Sequence, residues 1–137
     1  MQEEPSGIRL LQLIESKITQ ITRRERENLA HICLYETGGY WAAFERSAYQ
    51  LCRLFPDLNV SALKLRDNPF PVVFACVSDK ELLSYAESHI LCVDKPDYKE
   101  ILAEEISPVN YFRWHQQSLQ PLVTARPALH QKSDYYK

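Results

Sequence analysis

The sequence His31-Ile-Cys-Leu-Tyr-Glu-Thr-Gly-Gly-Tyr-Trp-Ala-Ala-Phe-Glu-Arg-Ser-Ala-Tyr49 contains two apolar runs separated by adjacent glycines. Only three glycines occur in the 137 residues, and two of them are Gly38 and Gly39. Because glycine adopts positive φ without a steric penalty, a Gly-Gly pair favours a tight turn between antiparallel strands. The spacing predicts a β-hairpin, with Tyr40 and Trp41 just beyond the turn, where aromatic rings can contact a partner.

The segments that flank this hairpin show helical spacing. Apolar residues recur every three or four positions from Ile8 to Ile21, which predicts an amphipathic helix over 7–29 with Ser6 as its N-cap. After the hairpin, residues 45–55 repeat the pattern and predict a second helix. Residues 60–66 alternate between apolar and polar and predict an exposed edge strand.

The next segment has the order strand, helix, strand. Residues 71–77 are the most apolar run and predict a central strand. Ser78 and Glu81 have the spacing of a capping box, so a helix is expected to about residue 88. A short apolar strand follows at 90–93. This order predicts a parallel crossover, because parallel strands need such a connection.

The last segment predicts further helices and a tail. Residues 98–106 and 110–119 are predicted to be helical, the second starting at Ser107-Pro108. The predicted fold class is α/β (α+β), a mixed β-sheet of about five strands flanked by helices. One domain is expected over 1–119, with a helical extension at 97–119 and a flexible basic tail at 120–137.

The composition is that of an ordinary globular protein, with 45% hydrophobic and 25% charged residues. The formal net charge is -2, so any nucleic-acid binding would have to come from a local patch. The run Arg23-Arg24-Glu25-Arg26-Glu27 is either a solvated helix end or a small phosphate-binding patch. The polar first residues and the lack of an 18-residue apolar run lead us to expect a cytoplasmic location.

Motifs for metal binding and catalysis are missing from the sequence. The four cysteines lack metal-site spacing, so we expect them to be buried, reduced and without metal: Cys33, Cys52, Cys76 and Cys92. There is no Gly-rich phosphate loop and no Gly-x-Ser-x-Gly or His-Glu-x-x-His motif. We therefore expect no cofactor and no enzyme activity. A pocket lined by histidine or cysteine beside a carboxylate would favour an enzyme instead.

Residues 32–48 resemble the N-terminal mismatch-recognition domain (domain I) of the MutS DNA-repair proteins. That domain has a strand, a turn written Gly-Asp-Phe-Tyr-Glu-x-Phe and the start of a helix, and here the frame reads Gly38-Gly39-Tyr40-Trp41-Ala42-Ala43-Phe44. The later strand, helix and strand over 72–94 look similar in order and spacing. The resemblance covers roughly residues 8–95.

Two departures from the family pattern bear on function. Tyr40 replaces the phenylalanine that stacks on a mispaired base, and it retains an aromatic face. Ala42 replaces the glutamate that hydrogen-bonds this base, so mismatch reading is not expected. The ATPase and clamp regions of MutS have no counterpart in this sequence.

Stand-alone domains of this kind resemble accessory proteins of diversity-generating retroelements. The resemblance implies a non-catalytic adaptor that binds a reverse transcriptase and its template RNA, with RNA favoured over DNA. It predicts nucleic-acid contacts on one common face from Arg23, Arg24, Arg26, Gly38, Gly39, Tyr40, Trp41 and Arg46. The alternative is a protein-interaction module without nucleic-acid binding, recognisable by an exposed apolar patch or a homo-oligomeric interface.

Overall fold

The computed structural model describes residues 3–66 and 69–130, which form four helices and six strands. The helices are Glu3–Arg26 (α1), Arg46–Leu54 (α2), Asp79–Ala86 (α3) and Pro108–His130 (α4). The strands are His31–Glu36 (β1), Tyr40–Phe44 (β2), Val60–Leu63 (β3), Val72–Ser78 (β4), Leu91–Asp94 (β5) and Tyr98–Leu102 (β6).

The six strands form one sheet in the order β3-β4-β2-β1-β6-β5, and every neighbouring pair is antiparallel. The predicted α+β class is confirmed, whereas the predicted mixed sheet of about five strands is wrong. Strands β4 and β5 run in the same direction, but three strands lie between them. The helix α3 therefore makes a crossover without the parallel pairing that the sequence predicted.

The sixth strand, β6, occupies a segment that was predicted to be helical. Tyr98, Ile101 and Leu102 have the spacing of an amphipathic helix. In the sheet, β6 lies between β1 and β5 and hydrogen-bonds to both. Pairing on both sides overrides a local preference, because the strand's fit to its neighbours decides its stability.

The sheet has an apolar cluster on each face. On one face α1 contributes Ile14 and Ile21, which belong to the same cluster as Phe44. On the other face α2 and α3 pack on a cluster that contains Trp41. Trp41 and Phe44 point in opposite directions because successive side chains in a strand alternate.

The Gly38-Gly39 hairpin is confirmed. The two glycines have φ angles of 77° and 94°, and the N–H of Thr37 donates to the carbonyl of Tyr40 at 2.8 Å. The turn contacts the start of α3, since the N–H of Asp79 donates to the Gly39 carbonyl at 2.9 Å. The predicted capping box that begins α3 is also confirmed.

Three further differences concern the helix ends and the cysteines. Helix α1 begins at Glu3, so Ser6 lies inside the helix and is not its N-cap. Helix α4 continues to His130, where an extended tail was predicted, and residues 131–137 lie outside the described part. Cys33 is buried as predicted, but Cys92 is exposed. Among the described residues, no helix has the length and apolar character needed to cross a membrane.

Replacing the hairpin glycine is expected to destabilise the fold. A Cβ at Gly39 or at Gly7 would meet no atom within 4 Å, so sterics with neighbours do not differ between the two sites. Gly39→Ala should lower the free energy of unfolding by about 1–2 kcal/mol because its φ is positive. The control Gly7→Ala, inside α1, should raise it by about 0.5–1 kcal/mol. Urea denaturation measures both, and equal effects would contradict this explanation.

Candidate ligand pocket

A pocket of about 420 Å³ lies where the end of α1, the β2–α2 junction, the start of β4 and the first turns of α4 meet. Its walls combine charged, aromatic and small apolar residues. They are Thr22, Glu25, Arg26, Glu45, Arg46, Phe70, Pro71, Val72, Tyr111, Phe112, His115 and Gln116. The volume is within the range of small-molecule and cofactor sites.

Glu45 connects β2 to α2 in a strained backbone conformation. Its φ of 52° and ψ of -119° are values that L-residues rarely adopt. The Glu45 N–H donates to the Val73 carbonyl at 2.8 Å, and the Val73 N–H donates to Glu45 Oε2 at 2.9 Å. Such strain persists only where the surroundings hold it, and it clusters at functional sites.

The other carboxylate oxygen of Glu45 binds α4. Tyr111 donates its hydroxyl to Glu45 Oε1 at 3.2 Å, and His115 Nε2 lies 3.0 Å from the same oxygen. Burial and the adjacent carboxylate raise the pKa of Tyr111, which keeps its hydroxyl a neutral donor. Because an ionised carboxylate only accepts hydrogen bonds, His115 carries its proton on Nε2. A pocket histidine beside a carboxylate is the arrangement that would favour an enzyme.

A second carboxylate, Glu25, lies in a buried polar network. The Ser47 N–H and hydroxyl donate to it at 2.8 and 2.5 Å, and the Asn28 amide donates at 3.4 Å. Only 2% of Glu25 is exposed. Burial raises the pKa of Glu25 to about 7, against the opposing effect of the hydrogen bonds from Ser47 and Asn28. The charge of Glu45 raises it further.

Two of the four predicted arginines line the pocket. Arg26 is exposed and makes no ion pair with another described residue. Arg46 donates to the Asn28 carbonyl at 3.2 Å, and its guanidinium lies 5.6 Å from the centre of the Tyr111 ring. Arg23 is exposed and outside the pocket lining. The guanidinium of Arg24 lies 5.2 Å from the centre of the Tyr98 ring, on the face of the sheet that α1 covers.

The hairpin residues are separate from this pocket. Tyr40 begins β2 and Glu45 follows its last residue, so about 17 Å of strand lies between them. Trp41 is only 4% exposed and donates from Nε1 to Asp79 at 2.9 Å, which leaves its ring unavailable for stacking. Gly38 and Gly39 lie at the same distant end of the sheet. The predicted common face of arginines and hairpin aromatics is not formed.

Ten of the twelve lining residues were not among the predicted contacts, and they include Glu45, Tyr111, Phe112 and His115. Tyr111 and His115 are four residues apart and so share a helix face, which is visible in the sequence. Glu45 is 70 positions from His115. No local pattern links them, and the positive φ of Glu45 has no sequence counterpart because glutamate is not a residue that favours it.

No protein-family model, curated protein or solved structure matches the chain. The resemblance to MutS domain I therefore stays a prediction. Within residues 3–66 and 69–130, no group of three or more histidine, cysteine, aspartate or glutamate side chains is arranged to hold a metal ion.

The buried carboxylate predicts a pH-dependent stability. The folded-state pKa of Glu25, about 7, is above its ordinary value of 4.5. The stability that the protonated Glu25 contributes is therefore fully present below pH 4.5 and is lost as the pH rises through 7. Relative to Glu25→Gln, the wild type should lose about 3 kcal/mol of unfolding free energy over this interval. Chemical denaturation at several pH values measures it.

The exposed neighbour Glu27 provides the control. Glu27→Gln should follow the pH profile of the wild type, whereas Glu25→Gln should flatten it. Parallel profiles for the wild type and Glu25→Gln would contradict the prediction, because they would mean that Glu25 has the same pKa in the folded and unfolded states.

Proposed function

We propose that this protein binds single-stranded nucleic acid in the pocket between α1 and α4, and acts as a non-catalytic adaptor. The observation that carries the proposal is one pocket with two arginines and an exposed phenylalanine on α4. Proteins that bind single strands combine cationic side chains, which contact phosphates, with aromatic rings, on which bases stack.

The charges of the pocket favour an anionic ligand. Arg26 and Arg46 are fully charged at any physiological pH. Glu45 accepts hydrogen bonds from Val73, Tyr111 and His115, so its charge is already shared among donors. Glu25 lies beneath Ser47 with its pKa raised to about 7 and is largely screened from a ligand. The exposed guanidinium of Arg26 is thus the least compensated charge that a ligand would meet.

Exposed aromatic side chains supply the second component. Phe112 is 64% exposed and Phe70 is 74% exposed, and both line the pocket. An apolar ring on the surface gains free energy when a base covers it. The location of these rings beside the arginines favours a nucleotide over a purely apolar ligand.

The identity of the partners comes from the resemblance of residues 32–48 to MutS domain I. It supports a domain I-like fold and a role beside the reverse transcriptase of a diversity-generating retroelement, with template RNA as the nucleic acid. The hairpin itself is not the proposed contact, since Trp41 is buried. An interaction module without nucleic-acid binding is the alternative.

The binding proposal is tested with a labelled single-stranded oligonucleotide at several salt concentrations. Affinity should fall as salt rises, and Arg26→Gln should lower the slope of log K against log salt by about 0.7. Phe112→Ala should weaken binding by about 1–3 kcal/mol with an unchanged slope, because it removes stacking alone. Fluorescence anisotropy measures both quantities.

Matched controls lie on α3, which packs on the sheet away from the pocket. Lys80→Gln removes an exposed charge and Leu83→Ala an exposed apolar side chain that is 58% accessible. Both should bind as the wild type does. Binding that is absent at low salt, or equal losses for pocket and control variants, would favour the interaction module.

The Glu45–His115 pair favours a second candidate function, acid–base catalysis on a ligand in the pocket. A carboxylate that holds Nε2–H leaves Nδ1 free to take a proton from a substrate hydroxyl. A non-catalytic adaptor should leave RNA intact after prolonged incubation at a saturating protein concentration. Cleavage that disappears in His115→Gln, while binding remains, would establish catalysis instead.

A further inference from the structure

We infer that His115 distinguishes RNA from DNA by accepting a hydrogen bond from a ribose 2′-hydroxyl. The inference rests on the proposed binding of nucleic acid in the pocket and adds to it the residue that selects the sugar. It follows from three observations: the fixed tautomer of His115, its unused nitrogen, and the order of groups along the pocket.

The tautomer is fixed by Glu45. His115 Nε2 donates to Glu45 Oε1 at 3.0 Å, so in the neutral imidazole Nδ1 carries a lone pair and accepts. No described residue hydrogen-bonds Nδ1. The side chain lines the pocket while only 17% of it is exposed. An acceptor held at a partly enclosed wall is suited to a ligand hydroxyl or amine.

The order of groups along the pocket favours the hydroxyl. Phe112 and His115 lie on adjacent turns of α4, which places their Cβ atoms about 5–6 Å apart. The Tyr111 ring lies 5.5 Å from the His115 ring, and the Arg46 guanidinium is 5.6 Å from the Tyr111 ring. Phe112, His115, Tyr111 and Arg46 thus follow one another, so the imidazole lies between an exposed aromatic ring and a guanidinium. Base, ribose and phosphate have the same order in a nucleotide.

The sugar is where RNA and DNA differ. The 2′-hydroxyl donates and accepts hydrogen bonds, and DNA lacks it. A deoxyribose beside His115 would leave Nδ1 without a partner. One neutral hydrogen bond of this kind corresponds to an affinity ratio of roughly 3- to 10-fold.

The test compares oligouridine with oligodeoxyuridine of about 12 nucleotides, since these differ only in the 2′-hydroxyl. The wild type should bind the RNA about 3- to 10-fold more tightly. His115→Gln retains an N–H donor near the position of Nε2, so contact with Glu45 is preserved while the Nδ1 acceptor is lost. This variant should bind both oligonucleotides with the affinity that the wild type has for DNA.

His89 provides the control, because it is exposed and stacks on Tyr85 at the end of α3, away from the pocket. His89→Gln should keep the RNA preference. Equal affinities of the wild type for both oligonucleotides, or an equal loss for both in His115→Gln, would overturn the role of His115 and leave the binding proposal intact. A wild type that binds neither at low salt would overturn both.

Discussion

The pocket depends on the hydrogen bonds that Glu45 makes to β4 and α4. Its backbone N–H and one oxygen hold the start of β4, and its other oxygen receives two donors from α4. A residue at φ 52° is unfavourable by about 1–3 kcal/mol, so these hydrogen bonds must hold it in place. They join the first turns of α4 to the start of β4 and so help to position the wall that carries Phe112 and His115.

The two carboxylates lie in different surroundings. At the pocket wall, Glu45 accepts hydrogen bonds from two side chains and a backbone amide. Glu25 is buried and accepts hydrogen bonds from Ser47 and Asn28. Enclosure favours the neutral acid, and proximity to a second negative charge adds to this. The network also connects α1, β1 and α2, because the Ser47 hydroxyl accepts from the Cys33 N–H at 2.9 Å. The polar groups next to Arg26 and Arg46 therefore hydrogen-bond to one another.

Local chemistry made part of the fold predictable. Gly38-Gly39 specifies the hairpin and Ser78 with Glu81 specifies the start of α3, because a turn or a cap depends on a few adjacent residues. Strand β6 was not predictable in this way, since its spacing suits a helix and only its neighbours make it a strand. The pocket was harder still. Arg26 and Arg46 were predicted as nucleic-acid contacts, but Glu45 and His115 come together only in the tertiary fold.

The position of the hairpin in the sheet bears on how the chain folds. Strands β1 and β2 are the two central strands, and they are joined by a loop of only three residues, 37–39. Closing a short loop loses little chain entropy, whereas β4 pairs with β2 across 30–38 residues and β6 pairs with β1 across 63–71 residues. The hairpin is thus suited to form first and to offer an edge on each side for the later strands. We therefore expect the aromatic residues that look like a contact surface in the sequence to belong to the first pair of strands that forms.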